Sequence, residues 1–153
     1  MLVYRIAHPD YAVDLTGEGS FLFGGRWNYK GERMLYTATN ASLALLETLA
    51  HISNYPFQIP LRLLTIEVVT DQIFIPKIND LPANWKEYPS PWQAKEVGSQ
   101  FLKEGRFAGL KVPSVLMPKD HNLLIHPGHS SIKSLRIVEN EEFSPEKRIV
   151  PVL

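Results

Sequence analysis

The sequence predicts a single α+β domain in which short strands outnumber helices. Its 153 residues are about the length of one domain, and a chain of this size can bury one substantial core without disulfides. Twelve prolines and nine glycines divide the chain into short elements. These elements are too unevenly spaced for a regular βαβ repeat. We therefore expect residues 1–153 to form one domain with strands and helices in an irregular order.

Six segments have the length and composition of β-strands. In the third of them, alternate positions from Arg62 to Val68 are the more apolar set, so that set is expected to face the core. The predicted strands are Leu2–Ala7, Arg33–Ala38, Leu61–Val69, Phe107–Met117, Asn122–His126 and Ser134–Val138.

Two segments are predicted to be helices. Thr39–Ser53 is rich in Ala and Leu, and Asn40 is a suitable N-cap. Gln93–Gly105 carries apolar residues at helical spacing and ends at a glycine, as helices often do. Between the third and fourth strands, residues 75–91 are rich in Pro, Trp and Asn and predict an ordered irregular loop.

The composition excludes several classes of function. Sixteen basic residues balance sixteen acidic ones, so no bulk charge attracts nucleic acid or an anionic membrane. The absence of cysteine excludes thiolate catalysis and cysteine-based metal sites. Neither a G-x-G-x-x-G motif nor a P-loop occurs. With no targeting signal and no long apolar run, the expected location is the cytoplasm.

Three histidines late in the chain, His121, His126 and His129, lie close together in the sequence. Imidazole is a common zinc ligand, but their spacing matches none of the usual zinc signatures. We therefore expect solvated loop histidines and no metal.

Glu47 lies at the margin of the apolar face of the first predicted helix. A carboxylate in that position is partly desolvated and needs a partner or a ligand. The simple interpretation is a boundary residue that pairs with His51 or with a nearby Lys or Arg. The alternative is a functional carboxylate.

Two further segments admit a structural and a functional interpretation. Gly24-Gly25-Arg26-Trp27-Asn28 is either an ordinary hairpin turn with a solvated arginine or a close-approach loop for a phosphate-bearing ligand. Ser114 lies in an apolar strand-like run without a nucleophile-elbow context, so a satisfied buried serine is the simple interpretation.

Four motifs, taken together and in order, resemble the RES-domain family. The family is named for its Arg, Glu and Ser, and its members are toxins of bacterial toxin–antitoxin pairs whose antitoxins are Xre-like. The likeness runs from Tyr4 to the region of Phe143. The motifs are Gly24-Gly25-Arg26-Trp27-Asn28, Met34-Leu35-Tyr36-Thr37-Ala38, Leu43-Ala44-Leu45-Leu46-Glu47 and Val112-Pro113-Ser114.

This resemblance implies a fold, a substrate and a partner. The family's fold is similar to that of ADP-ribosyltransferase toxins such as diphtheria toxin, with short-stranded sheets and flanking helices. Its members consume NAD+ as a substrate, by hydrolysis or phosphorolysis of the nicotinamide bond, or transfer ADP-ribose to a protein; no separate cofactor is implied. An Xre-like antitoxin in a hetero-oligomer is the expected partner of such a type II toxin.

The resemblance also assigns residues by position. Arg26, Glu47 and Ser114 are the expected catalytic residues: Arg26 would clamp the diphosphate, Glu47 would stabilise the developing positive charge, and Ser114 would hold Glu47 or a ribose hydroxyl. Tyr36 would stack on nicotinamide. The expected substrate-binding residues are Arg26, Trp27, Asn28, Tyr36 and Asn122.

Two functions of other classes compete with an NAD+-consuming toxin. A non-catalytic module could bind partners through the Trp, Tyr and Arg surface; it predicts unchanged NAD+ levels and no growth arrest. An RNA-directed enzyme is disfavoured by the neutral charge, because binding to phosphate backbones usually requires a basic stripe.

Overall fold

The described part of the chain forms one mixed sheet, three α-helices and three short 3₁₀ turns. The computed structural model describes residues 1–51 and 60–149, and within them seven strands pair into a single sheet. The strands are β1 (Leu2–Ala7), β2 (Leu35–Ala38), β3 (Leu61–Glu67), β4 (Ile73–Phe74), β5 (Gly109–Pro113), β6 (His121–Ile125) and β7 (Arg136–Phe143). The helices are α1 (Glu18–Phe23), α2 (Ala41–His51) and α3 (Trp92–Glu104).

The strand order in the sheet is β4-β5-β6-β2-β1-β3-β7. Neighbouring strands are antiparallel throughout, except that β4 and β5 run parallel. Antiparallel pairing with helices inserted at irregular intervals is the α+β class that the sequence predicts. The fold-class prediction is therefore confirmed.

All six predicted strands are present; the first has the predicted ends, Leu2–Ala7, and the other five differ at one or both ends. The last is longer than predicted, because β7 pairs with β3 along its whole length and reaches Phe143. The predicted core set on β3 is confirmed: Leu64 and Ile66 are fully buried, and Val68 just beyond the strand is nearly so. Leu61 and Thr65 of the other set are also buried, so β3 is covered on both faces.

Both predicted helices are present, and the predicted N-cap of the first and the predicted glycine at the end of the second are confirmed. The Asn40 side-chain oxygen accepts a hydrogen bond from the Leu43 backbone N–H at 2.8 Å, so Asn40 caps α2 as predicted. Gly105 follows α3 in the left-handed conformation with φ of 57°. Residues 52 and 53, at the end of the first predicted helix, lie outside the described residues.

Helix α1 and strand β4 were not predicted, and neither were the 3₁₀ turns Ile78–Asp80, Ser130–Ser134 and Lys147–Ile149. The apolar residues 21–23 form the last turn of α1, and Gly24 ends that helix with φ of 68° and an N–H donated to the Ser20 carbonyl. Just beyond the helix, Gly25 and Asn28 pair in an isolated antiparallel bridge, with Arg26 and Trp27 as the two residues of the turn. The hairpin turn considered for residues 24–28 is therefore present, although it joins no two strands of the sheet. Apart from the 3₁₀ turn Ile78–Asp80, residues 75–91 are irregular, as predicted.

Helices α2 and α3 cover the same face of the sheet. Alternation along β2 directs Tyr36 toward the core cluster under α3 and Ala38 toward the cluster under α2, whereas Leu35 packs on the opposite face. The face that carries Tyr36 and α2 is therefore the one on which the predicted site residues can meet.

Candidate active site

A cavity of about 460 Å³ opens on this face, which is within the usual size range of small-molecule sites. Its walls come from β1, β2, α2, β6 and the glycine turn after α1. Of the residues predicted for the site, three line it directly, Tyr36, Glu47 and Asn122.

Glu47 is anchored through one carboxylate oxygen. Its Oε1 accepts hydrogen bonds from Ser114 Oγ at 2.9 Å and from Asn122 Nδ2 at 2.7 Å. Within the described residues, Oε2 accepts no hydrogen bond and the carboxylate makes no ion pair. In the described part of the chain, the His51 ring is hydrogen-bonded to the Glu47 backbone carbonyl and not to its carboxylate, so the simple pairing predicted for Glu47 is wrong. One oxygen orients the carboxylate, and the other is available to a ligand in the cavity.

Ser114 is fully buried at the end of β5. Its hydroxyl oxygen accepts hydrogen bonds from the backbone N–H groups of Leu116 at 3.0 Å and Met117 at 3.2 Å. These two donors fix the direction of the hydroxyl, which then donates to Glu47. Ser114 is thus both a satisfied buried serine and a support for the Glu47 carboxylate.

The Tyr36 ring is held through its hydroxyl group. That hydroxyl donates to Asn28 Oδ1 at 2.7 Å and accepts from the Trp27 backbone N–H at 3.1 Å. Burial raises the pKa of Tyr36, so the phenol stays neutral at physiological pH. A Cβ atom added to Gly25 would lie 2.8 Å from Cζ of this ring. Glycine at position 25 therefore allows the turn to approach the hydroxyl end of Tyr36 closely.

Arg26 extends from the same turn and is half-buried. Its Nη1 donates to the backbone carbonyls of Trp85 and Glu87, both at 2.8 Å, so the interpretation as a solvated arginine is wrong. Burial lowers the pKa of Arg26, and the nearby Glu47 carboxylate acts in the opposite direction. The guanidinium therefore lies within electrostatic range of the anchored carboxylate.

Trp27 and Asn28 lie behind the cavity and not in its lining. Trp27 is buried, with its ring centroid 5.9 Å from that of Trp85. The Asn28 side-chain amide donates to the carbonyls of Ser20 at 3.0 Å, Tyr29 at 2.9 Å and Glu32 at 3.0 Å. Both residues hold Tyr36 in place by hydrogen bonds to its hydroxyl group, and this is how they affect the site.

The sequence reasoning did not assign to the site three residues with basic side chains that line the cavity, Arg5, His8 and His51. Arg5 donates from Nη1 to the carbonyls of Ala12 at 3.1 Å and Asp14 at 2.5 Å. A signal for Arg5 was present, because it is the one charged residue inside the otherwise apolar first strand. The residues around His8 and His51 form no sequence pattern that would have assigned either histidine to the site.

Two of the three late histidines, His126 and His129, are neighbours with ring centroids 6.2 Å apart, whereas His121 lies at the other end of β6. His121 begins β6, whereas His126 follows the end of that strand, where its Nε2 is 3.1 Å from the Leu102 carbonyl oxygen. The His129 side chain accepts from the Ser131 backbone N–H. Within residues 1–51 and 60–149, no group of three or more His, Asp or Glu side chains is placed to hold a metal ion. No helix in these two ranges is long and apolar enough to cross a membrane.

Comparisons with known proteins identify relatives over nearly the whole chain. "Toxin Res" of Yersinia enterocolitica is 37% identical over 151 residues, which cover 97% of this chain and 99% of that protein. The "Prs ADP-ribosylating toxin" of a Sphingobium strain is 32% identical over 142 residues, covering 91% of this chain and 88% of the relative.

A solved structure has the same fold. The Mycobacterium tuberculosis MbcT–MbcA toxin–antitoxin complex contains a chain that matches with a TM-score of 0.78 at 21% identity, covering 94% of this chain and 84% of that one. The RES domain matches residues 2–146, nearly all of the sequence. The resemblance inferred from the ordered motifs is confirmed, and the chain belongs to the RES-domain family.

Proposed function

We propose that this RES-domain protein is the toxin of a type II toxin–antitoxin pair and that it arrests growth by cleaving the nicotinamide–ribose bond of NAD+. The observation that carries the proposal is the Glu47 carboxylate in the cavity wall, anchored through Oε1 by Ser114 and Asn122. The relatives named as toxins support the biological role.

The reaction suits a site with one anchored carboxylate. Breaking the bond releases nicotinamide through a transition state in which positive charge develops on the ribose ring. The leaving group is a cationic pyridinium that departs as a neutral base, so it needs neither a general acid nor a metal. Glu47 stabilises the developing charge and accepts a hydrogen bond from a ribose hydroxyl or from the attacking water or phosphate.

The other side chains position the dinucleotide. Arg26 binds the diphosphate through Nε and Nη2, because its Nη1 is occupied by two carbonyls. Tyr36 offers its ring to the nicotinamide; its hydroxyl is already hydrogen-bonded on both sides and so serves to orient the ring. NAD+ is therefore a substrate here and not a resident cofactor.

ADP-ribosyl transfer to a protein is the second candidate. The same bond is broken, but a protein side chain takes the place of water or phosphate as the acceptor. The Sphingobium relative, which is named an ADP-ribosylating toxin, favours this alternative. Incubation with NAD+ labelled in its adenylate half separates the two: free ADP-ribose or its phosphorylated form indicates degradation, and label on a protein band indicates transfer.

The proposal includes a partner and a location. A toxin that drains NAD+ must be held inactive in its own cell, so the partner is an Xre-like antitoxin that covers the cavity in a hetero-oligomer. The likeness to a chain solved in a toxin–antitoxin complex supports this arrangement. The site of action is the cytoplasm, where the cellular NAD+ is available to the enzyme.

The decisive experiment measures nicotinamide release by purified protein. Glu47→Gln keeps the shape of the side chain and removes its charge, so turnover should fall by about 10²–10³. Glu141→Gln, on the exposed strand β7, is the matched control and should keep the wild-type rate. Circular dichroism shows whether both variants are folded. If Glu47→Gln turns over NAD+ at the wild-type rate, the assigned role is wrong.

A further inference from the structure

A second cation lies beside Arg26. Lys95, on α3, donates from Nζ to the Gly25 backbone carbonyl at 2.5 Å, and Gly25 lines the cavity. The Lys95 side chain is half-buried. The helix thus brings an ammonium group to the turn that carries the guanidinium.

Neither cation is neutralised by a carboxylate contact in the described part of the chain. None of the ion pairs found there includes Arg26 or Lys95. Their hydrogen bonds within the described ranges go to backbone carbonyls, from Arg26 Nη1 and from Lys95 Nζ. The Nε and Nη2 groups of Arg26 and the remaining Nζ protons of Lys95 are available to a ligand.

The electrostatics of the pair favour the binding of an anion. Burial lowers the pKa of Lys95, and the neighbouring positive charge of Arg26 lowers it further. Two like charges held together and partly removed from water repel each other unless an anion lies between them. A phosphate group is the ligand that such a pair of donors favours.

We propose that Lys95 is a substrate-binding residue that, together with Arg26, forms a two-cation site for the diphosphate of NAD+. This inference rests on the proposed function for the identity of the dinucleotide, and on the Gly25–Arg26–Lys95 arrangement for the anion site itself. Each cation faces one side of the diphosphate at the edge of the cavity, with the nicotinamide half extending toward Glu47. Lys95 contacts no reacting atom, so its contribution is to binding.

The test compares Lys95→Met with Lys95→Arg. Loss of a charge-assisted hydrogen bond should raise the KM for NAD+ in Lys95→Met by about tenfold or more, with kcat changed by less than about threefold. Lys95→Arg keeps the charge and should recover most of the affinity. Lys103→Met, on the exposed last turn of α3, is the matched control and should keep the wild-type KM.

Binding of inorganic pyrophosphate, measured by calorimetry, separates this inference from the proposed function. Wild-type protein and Lys103→Met should bind pyrophosphate equally, and Lys95→Met at least about tenfold more weakly. If pyrophosphate binding depends on Lys95 but the protein releases no nicotinamide, the anion site stands and the NAD+-cleaving function fails.

Two results would overturn the inference. The first is that Lys95→Met matches wild-type protein both in KM for NAD+ and in pyrophosphate binding. The second is that Lys95→Met alters only the dependence of the rate on inorganic phosphate, in which case the two cations bind the acceptor phosphate and not the dinucleotide. Melting temperatures of all four proteins show whether any loss arises from unfolding.

Discussion

Substitution of Asn122 is the most direct test of whether the orientation of the Glu47 carboxylate matters for activity. Its Nδ2 donates to Glu47 Oε1 at 2.7 Å, and within the described residues it makes no other hydrogen bond. Asn122→Ala removes this donor and leaves Ser114 as the remaining anchor. Asn122→Asp keeps the shape but replaces the donor with a second carboxylate oxygen.

The two substitutions should differ in magnitude. A hydrogen bond to a charged group contributes about 1.5–3 kcal/mol, so its loss from the transition state lowers kcat by about 10–100-fold in Asn122→Ala. In Asn122→Asp, two unit charges about 3 Å apart repel by roughly 5 kcal/mol at an effective dielectric constant of about 20. Glu47 then either moves away or takes up a proton, so the loss should exceed about 100-fold.

The assay is steady-state nicotinamide release by purified variants at neutral pH. Asn79→Asp, in the exposed 3₁₀ turn, adds the same charge away from the cavity and should retain the wild-type kcat. A folded Asn122→Asp protein with kcat within about threefold of wild type would refute the role of the Glu47 carboxylate as the charge-stabilising group.

Two further predictions concern the Tyr36 contact and the response to pH. Gly25→Ala should displace the Tyr36 ring, because overpacking of this kind costs about 1–3 kcal/mol of stability, and it should lower kcat/KM for NAD+ by tenfold or more. Gly19→Ala is the control, since nothing lies within 4 Å of its added Cβ. Equal activity of the two variants would contradict the argument. Burial, and to a lesser extent the neighbouring imidazole, lower the pKa of His126 in the folded state. The unfolded chain therefore takes up the proton first, and the free energy of unfolding should decrease as the pH falls below about 6.5. Urea titrations at pH 7.5 and 5.5 should show a smaller decrease for His126→Gln; an unchanged decrease would show that other groups are responsible.

The fold could be predicted where local pattern and tertiary contacts agree. Asn40 and Gly105 mark helix ends by their own chemistry, and the sequence is sufficient to locate them. The end of β7 could not be located in this way, because its run of glutamates has low strand propensity and is held in the sheet by pairing with β3. Helix α1 was missed because six residues carry too little periodicity to be recognised.

The candidate site could be predicted by residue type, and its contacts only in part. The family resemblance implied that Ser114 would hold Glu47 or a ribose hydroxyl, and Ser114 Oγ does donate to Glu47, but the support from the Leu116 and Met117 backbone N–H groups was not foreseen. Trp27 and Asn28 stand in a motif that includes Arg26, and only the packing shows that they lie behind Tyr36 and not in the cavity. Lys95 belongs to no motif, and its place beside the glycine turn results from the packing of α3.

The anchoring of Glu47 has a consequence for the timing of activity during synthesis. The two donors to its carboxylate follow it by 67 and 75 residues. While a ribosome still holds the chain beyond α3, neither donor can reach α2, and the carboxylate has no fixed orientation. Under the proposed role of Glu47, a nascent chain is therefore expected to be inactive until β6 has left the ribosome and both donors can reach the carboxylate.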